Sequence, residues 1–400
     1  MKKKSILFVN ESLTCAGGEK SLLNLLSSID YDSYDIYLQL FQYGCEWDKL
    51  VDRRCKILPP LPYCAFVNMR YGKAIFYAVR HWKLNWLWSR IKFSCELRNK
   101  KKNQGNVSRS CLYWQTQCNC FDRIKMSYDY IIAYAQGIPT FYVSDKAPSE
   151  SKKLSWINVT YTPDQPWARY IENKYKNIDV INCVSEEIKS IEGMHWNTLI
   201  PKLRVWRDPI NPDMILNLAQ EPISIKKESR LILVTLGRLV PQKGYDIALN
   251  AAKILKDNHL DFIWFILGKG PLEPELKDYV KQMELEDCVK FLGVKPNPYP
   301  YLNIADIYVQ TSRHEGFGLA IAEARLLNIP VVTTRFNTVY MQMIDRANGL
   351  IADMDGTSVA EAILELNSDK QLYKSIKEYL KNEKKGNLEI ISDFYRLLES

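Results

Sequence analysis

Short apolar runs alternate with longer amphipathic stretches from one end of the chain to the other. Residues 5–9, 34–41, 128–134, 154–159 and 180–184 are rich in Ile, Leu, Val, Phe and Tyr and read as buried strands. In the second half the same reading falls on residues 231–236, 262–267, 289–292, 307–310 and 331–334. Between them, stretches such as 245–258 and 273–283 place apolar residues at helical spacing. Strands apolar on both faces need cover on both, so the alternation predicts parallel sheets coated by helices, an α/β doubly wound class. Pro209, Pro212 and Pro222 interrupt regular structure just before the strand that starts at Leu231. The expected organisation is an N-terminal domain over residues 1–208 and a C-terminal domain over 209–385. A helical tail, 386–400, is expected to return to the first domain.

Composition agrees with two ordinary domains. The chain has 400 residues, 46% of them hydrophobic and 25% charged, enough for two cores without cross-links. Its ten cysteines include strand-like Cys183 and Cys288 and a cluster of Cys111, Cys118 and Cys120. That cluster lacks paired knuckles and a nearby histidine, so a reduced setting without metal is expected. The start, Met1-Lys2-Lys3-Lys4, imitates a signal peptide, but the apolar stretch behind it is far too short. No run approaches the roughly 20 apolar residues of a membrane span. A cytoplasmic enzyme is expected.

One segment breaks the alternation. Arg70, Lys73, Arg80, Lys83, Arg90, Lys92, Arg98, Lys100, Lys101 and Lys102 are interleaved with aromatics such as Tyr71, Phe76, Trp82, Trp86 and Trp88. Glu96 is the sole carboxylate between residues 70 and 102, although the whole chain carries a net charge of only +8. This pattern suits an anionic membrane surface. The plainer reading is a helical insertion, about 70–125, whose aromatics pack inward and whose charges are solvated. No nucleic-acid motif accompanies it, so a nucleic-acid partner is not expected.

The strongest chemical signal is His314-Glu315-Gly316-Phe317-Gly318-Leu319-Ala320-Ile321-Ala322-Glu323, between a strand and a helix. Glycines let backbone amides approach a ligand, and a helix N-terminus favours a diphosphate. Glu315 can face a sugar while Glu323 accepts from ribose hydroxyls. An acidic helix start that merely complements the dipole is the plain alternative. Upstream, a strand ends at Gly237-Arg238, with Lys243-Gly244 a few residues on, and another ends at Gly268-Lys269-Gly270. Cations at the carboxyl edge of a parallel sheet can neutralise a phosphate leaving group.

The order GRLVPQKG, FILGKGPLEPEL, VKFLG, ADIYVQTSRHEGFGLAIAEA, NIPVVTT resembles the retaining glycosyltransferase family 4, the group 1 glycosyl transferases, over residues 231–360. The resemblance implies a GT-B fold of two Rossmann-like domains with the donor site in the cleft between them. It implies that Arg238 and Lys243 hold the donor diphosphate, with Gly268, Gly316, Phe317, Gly318 and Leu319 beside it. Glu315 then contacts the transferred sugar and Glu323 the ribose. In the first half, Gly17-Gly18 opening a helix resembles the family's phosphate-approaching turn. Asn158 stands where the family carries a histidine beside the donor sugar, and Asn211 where an aspartate is usual. Asparagine can hydrogen-bond a sugar hydroxyl but cannot titrate near neutrality.

The implied activity is retaining transfer of a hexose-type sugar from a nucleotide diphosphate-sugar, UDP favoured for its prevalence. The acceptor is a glycan or lipid-linked hydroxyl, as in bacterial surface polysaccharide synthesis, and no cofactor is expected. The alternative is a non-catalytic partner subunit of the same fold. Asp353-Met354-Asp355 imitates a metal-binding Asp-x-Asp, yet in the resembled family this is a polar loop without metal.

Overall fold

The structure, a computed structural model, describes residues 3–14, 17–98, 106–161, 165–225 and 229–400. Two compact units result, one built on residues up to Thr14, Gly18–Arg207 and Glu389–Ser400, and the other chiefly on Asp208–Leu388.

The first unit contains seven strands: β1 (Lys4–Asn10), β2 (Tyr34–Leu40), β3 (Lys56–Ile57), β4 (Tyr130–Ala133), β5 (Lys152–Ile157), β6 (Val180–Cys183) and β7 (Leu203–Val205). They run parallel in the order β3-β2-β1-β4-β5-β6-β7. The order reverses beside β1, whose Ile6, Leu7, Phe8 and Val9 are completely enclosed. The expected strand runs are present, and β3 and β7 are additions too short to read as apolar runs.

The second unit adds β8 (Leu231–Leu236), β9 (Phe262–Leu267), β10 (Val289–Gly293), β11 (Ile307–Gln310), β12 (Val331–Thr334) and β13 (Gly349–Ala352). Its parallel order is β10-β9-β8-β11-β12-β13, again reversing at the first strand. Side chains alternate between two cores: Leu233, Trp264 and Val309 point into one, while Ile232, Val234 and Phe265 point into the other. That two-sided burial is the physical reason the strands are apolar throughout. The indole N–H of Trp264 donates to Thr235 Oγ1 at 2.9 Å, so these two buried polar groups are paired within the layer.

The helix Ile390–Glu399 packs in the first unit. Phe394 lies against Phe8 and Trp206, and Tyr395 stacks on Tyr34 at 5.1 Å between ring centres. The backbone N–H of Asp30 donates to Tyr395 Oη at 2.7 Å.

The basic, aromatic segment is helical over Tyr71–Arg80, Leu84–Arg98 and Asn106–Gln117. Lys100, Lys101 and Lys102 lie outside the described residues. Trp86 is buried edge-on to Tyr63 and Phe66, which anchors the helices to the first unit.

Candidate functional site

Strands β8 and β11 are neighbours, and the order of the second sheet reverses between them. Loops leaving adjacent strands there diverge and open a crevice, where ligands bind in such sheets. The two loops are tied together. Thr311 Oγ1 donates to the carbonyl of Lys243 at 3.0 Å, and the Arg313 N–H to the carbonyl of Gln242 at 2.8 Å. The Arg313 guanidinium holds Asp246 through two bonds of 3.0 and 2.7 Å.

This frame delivers Lys243 to Glu315. Glu315 Oε1 accepts from Lys243 Nζ at 2.6 Å, Gln310 Nε2 at 3.0 Å and Ser312 Oγ at 2.6 Å. Gln310 is fixed in turn by the Tyr308 hydroxyl, which donates to its Oε1 at 2.8 Å. Burial pushes the Tyr308 phenol well above its usual range, so it remains a donor at physiological pH. Thr338 Oγ1 donates to the carbonyl of Glu315 at 2.9 Å, fixing the backbone as well. Three donors converging on one carboxylate oxygen leave little freedom for the side chain. Arg238 is exposed and makes no ion pair among the described residues, so its charge is available.

Four residues after Glu315 the helix Leu319–Leu326 begins, and no side chain caps it. Gly318 enters it with φ of +81°, a left-handed turn that admits glycine without strain. Phe317 was expected beside the donor, but its ring is in the core, so only its backbone amide can face a ligand. Glu323 sits inside the helix, 1% exposed, and its Oε1 accepts from the Tyr299 hydroxyl at 3.0 Å. Gly268 has a purely local reason to be glycine: a Cβ there would lie 1.8 Å from the carbonyl oxygen of Gly237. The loops after β8 and β9 therefore pack backbone to backbone.

Gly17 and Gly18 open the helix Gly17–Ser28, and Asn158 follows β5. A Cβ on Gly18 would come within 3.0 Å of Asn158 Nδ2, so the small residue is what lets the amide stand where it does. Asn158 Nδ2 donates to the carbonyl of Tyr134 at 3.4 Å, and its backbone N–H to Gln136 Oε1 at 3.1 Å. Its Oδ1 is buried with no hydrogen-bond partner among the described residues. Asn211 caps the helix Pro212–Leu218 by accepting from the Met214 N–H at 3.3 Å, a task aspartate would perform equally.

The imitation metal motif has structural occupations. Asp353 pairs with Arg335 at 3.1 Å, and Asp355 caps the helix Gly356–Ser368 by accepting from the Ser358 N–H at 2.8 Å. Cys111 is buried and Cys120 donates to Ser89 Oγ at 3.3 Å, so two members of the cysteine cluster act as packing residues.

Sequence reasoning missed Gln310, Ser312, Tyr299 and Thr338. For Gln310 a signal existed: a polar residue closing a buried strand needs a buried partner.

Residues 219–383 match the family described as glycosyl transferases group 1. The amylovoran biosynthesis glycosyltransferase AmsK of Erwinia amylovora is 29% identical over 191 residues, 42% of this chain and 47% of that protein. The lipopolysaccharide core biosynthesis glycosyltransferase LpsE of Rhizobium meliloti is 24% identical over 224 residues, 56% of this chain and 62% of that one. The chain thus spans about half the length of these curated relatives. Among solved structures, Anabaena Alr3699/HepE in complex with UDP-glucose matches with a TM-score of 0.70 at 17% identity, covering 99% of both chains. That likeness shows the fold, and both Rossmann-like units are those of the GT-B class.

Proposed function

We propose, on the match of residues 219–383 to the glycosyl transferases group 1 family, that the chain is a retaining, metal-independent hexosyltransferase acting in bacterial surface polysaccharide synthesis. The observation that carries this reading is the cluster of Lys243, Gln310 and Ser312 on Glu315, beside the open start of the Leu319–Leu326 helix. Arg238, Lys243 and the amides of Gly316 to Leu319 stabilise the charge that grows on the departing diphosphate. Glu315 accepts from hydroxyls of the transferred sugar, and Glu323 from the ribose. The bond from the anomeric carbon to the phosphate oxygen breaks as the acceptor oxygen bonds the same face. The acceptor proton passes to the leaving diphosphate, so no protein base is required and Asn158 suffices as a hydrogen-bonding group. HepE was solved with UDP-glucose, which supports a UDP-hexose as the first donor to try.

The acceptor is a glycan or lipid-linked hydroxyl, and the enzyme works at the inner face of the cytoplasmic membrane, reached through residues 70–102. A non-catalytic subunit is the second reading, and Asn158 favours it; Asn211, doing an aspartate's capping work, does not. Incubation with radiolabelled UDP-hexoses and a lipid-linked acceptor extract separates the two. Transfer, or slow donor hydrolysis that Glu315→Ala removes, is expected. Neither transfer, hydrolysis nor UDP binding would leave the scaffold reading.

A further inference from the structure

We propose that the outer face of the Tyr71–Arg80 and Leu84–Arg98 helices inserts its aromatic side chains into the interfacial layer of an anionic bilayer. This deepens the membrane-side reading above: the contact is apolar insertion steered by charge, not charge alone.

These helices are apolar on both sides. Ala74, Ala78 and Trp86 face inward and are buried. On the outside, Ile75, Phe76, Val79, Leu84 and Trp88 are all exposed, Phe76 at 67% and Trp88 at 70%. Trp82, in the turn between the helices, is 87% exposed. Six large apolar side chains exposed within residues 75–88 are denser than the scattered single residues of an ordinary surface, and such density marks an interaction site.

Trp82 carries an independent sign. The Lys83 N–H donates to the carbonyl of Ala78 and the Trp82 N–H to that of Val79, which is the Schellman ending of the first helix. Its pivotal position takes a left-handed backbone, and Trp82 has φ of +54°. Glycine is the ordinary occupant, and a bulky residue there is strained. A strained, solvent-exposed tryptophan gains nothing within this unit, and strain of this sort gathers where function requires it.

Charge selects the partner. No Asp or Glu occurs from residue 70 to residue 95. Among the described residues Arg70, Lys73, Arg80, Lys92 and Arg98 form no ion pair. Lys83 and Arg90, expected as free surface charges, instead lie over the rings of Trp86 and Tyr71 at 4.8 and 4.3 Å. The remaining cations match anionic headgroups. No helix among the described residues is long and apolar enough to cross a membrane, so the contact is peripheral.

Flotation of the full chain with phosphatidylcholine vesicles containing about a third phosphatidylglycerol tests this, against vesicles of phosphatidylcholine alone. Wild type should float with the anionic vesicles and keep part of its binding at high salt, where a purely ionic contact is screened. Trp82→Gly should weaken partitioning about tenfold, the loss expected for one inserted large apolar side chain. Its melting temperature should be unchanged or higher, because glycine relieves the turn. Trp82→Gly/Trp88→Ser should abolish flotation while UDP binding persists, which keeps this test separate from the transferase reading. Wild type left in the soluble fraction, complete release by salt, or equal flotation of the double variant overturns the proposal. So does a vesicle-independent dimer that the double variant dissolves, since the face would then belong to a protein partner.

Discussion

Lys243 and Glu315, 72 residues apart in sequence, meet at 2.6 Å where the loops after β8 and β11 converge. The pair is only partly exposed, with side-chain accessibilities of 22% and 11%. Coulomb attraction there is stronger than on an open surface. A lysine so held is pointed before any phosphate arrives, which reduces the ordering needed on binding.

Removing that lysine tests the arrangement. Lys243→Ala should lower kcat/KM by roughly a hundredfold, as loss of one charge-stabilising donor does. Stability should change by only about 1 kcal/mol, because Gln310 and Ser312 still donate to Glu315. Glu315→Ala should act chiefly on kcat by freeing the sugar. Steady-state kinetics with the donor varied decides, and wild-type constants in both variants would sink the site.

Glu323 behaves differently because it is enclosed and bonded to Tyr299. Glu323→Gln weakens a charge-assisted acceptor worth roughly 1.5–3 kcal/mol, so the donor's KM should rise tenfold or more with kcat less affected. Tyr299→Phe should reproduce part of that KM effect by unfixing the carboxylate. If Tyr299→Phe destabilises the protein yet leaves KM untouched, the tyrosine is structural and Glu323 does not rely on it.

The repeating strands were readable because burial on both sheet faces demands unbroken apolar runs. Three strands escaped: β3 is two exposed residues, β7 three residues soon after Pro201, and β13 a buried run of only four residues that opens on Gly349. The site was readable to the extent that it is linear, as from Glu315 to Glu323. Convergence is not linear. Nothing in sequence puts Gln310, Ser312 and Lys243 on one oxygen, or Tyr299, from a five-residue helix, on Glu323. The basic segment was legible only in part for the same reason: charge is visible in sequence, but the ring beneath Arg90 is not.

Metal independence can be tested now that both aspartates have partners. EDTA should leave transfer within about twofold, since arginine, lysine and helix amides supply the electrostatics. Asp355→Ala should cost about 1 kcal/mol through the lost cap and lower the melting temperature by about 2–4 °C. Activity per folded molecule should persist. Abolition by chelator and restoration by manganese would reverse this assignment.

Stability should also carry a signature of Glu192. This residue, in the helix Glu186–His195, is completely buried, and its Oε1 accepts from the Tyr161 N–H at 2.6 Å. Its Oε2 has no hydrogen-bond partner among the described residues and lies 3.8 Å from His195 Nδ1. Burial pushes the carboxyl up to about 7 from an ordinary 4.5, against the opposing effect of the Tyr161 bond. A carboxyl raised on folding binds its proton more tightly in the native state than in the unfolded one. Its contribution is therefore fully present below about pH 4.5 and is lost as pH rises through about 7. The loss is on the order of 3 kcal/mol at most. Glu192→Gln keeps an oxygen for the Tyr161 N–H but does not titrate, so its stability should be flat across that window where wild type declines. Denaturant unfolding from pH 5 to pH 8 measures the difference between the two. Parallel curves would mean that Glu192 is ionised and solvated in the folded protein, contrary to its enclosure.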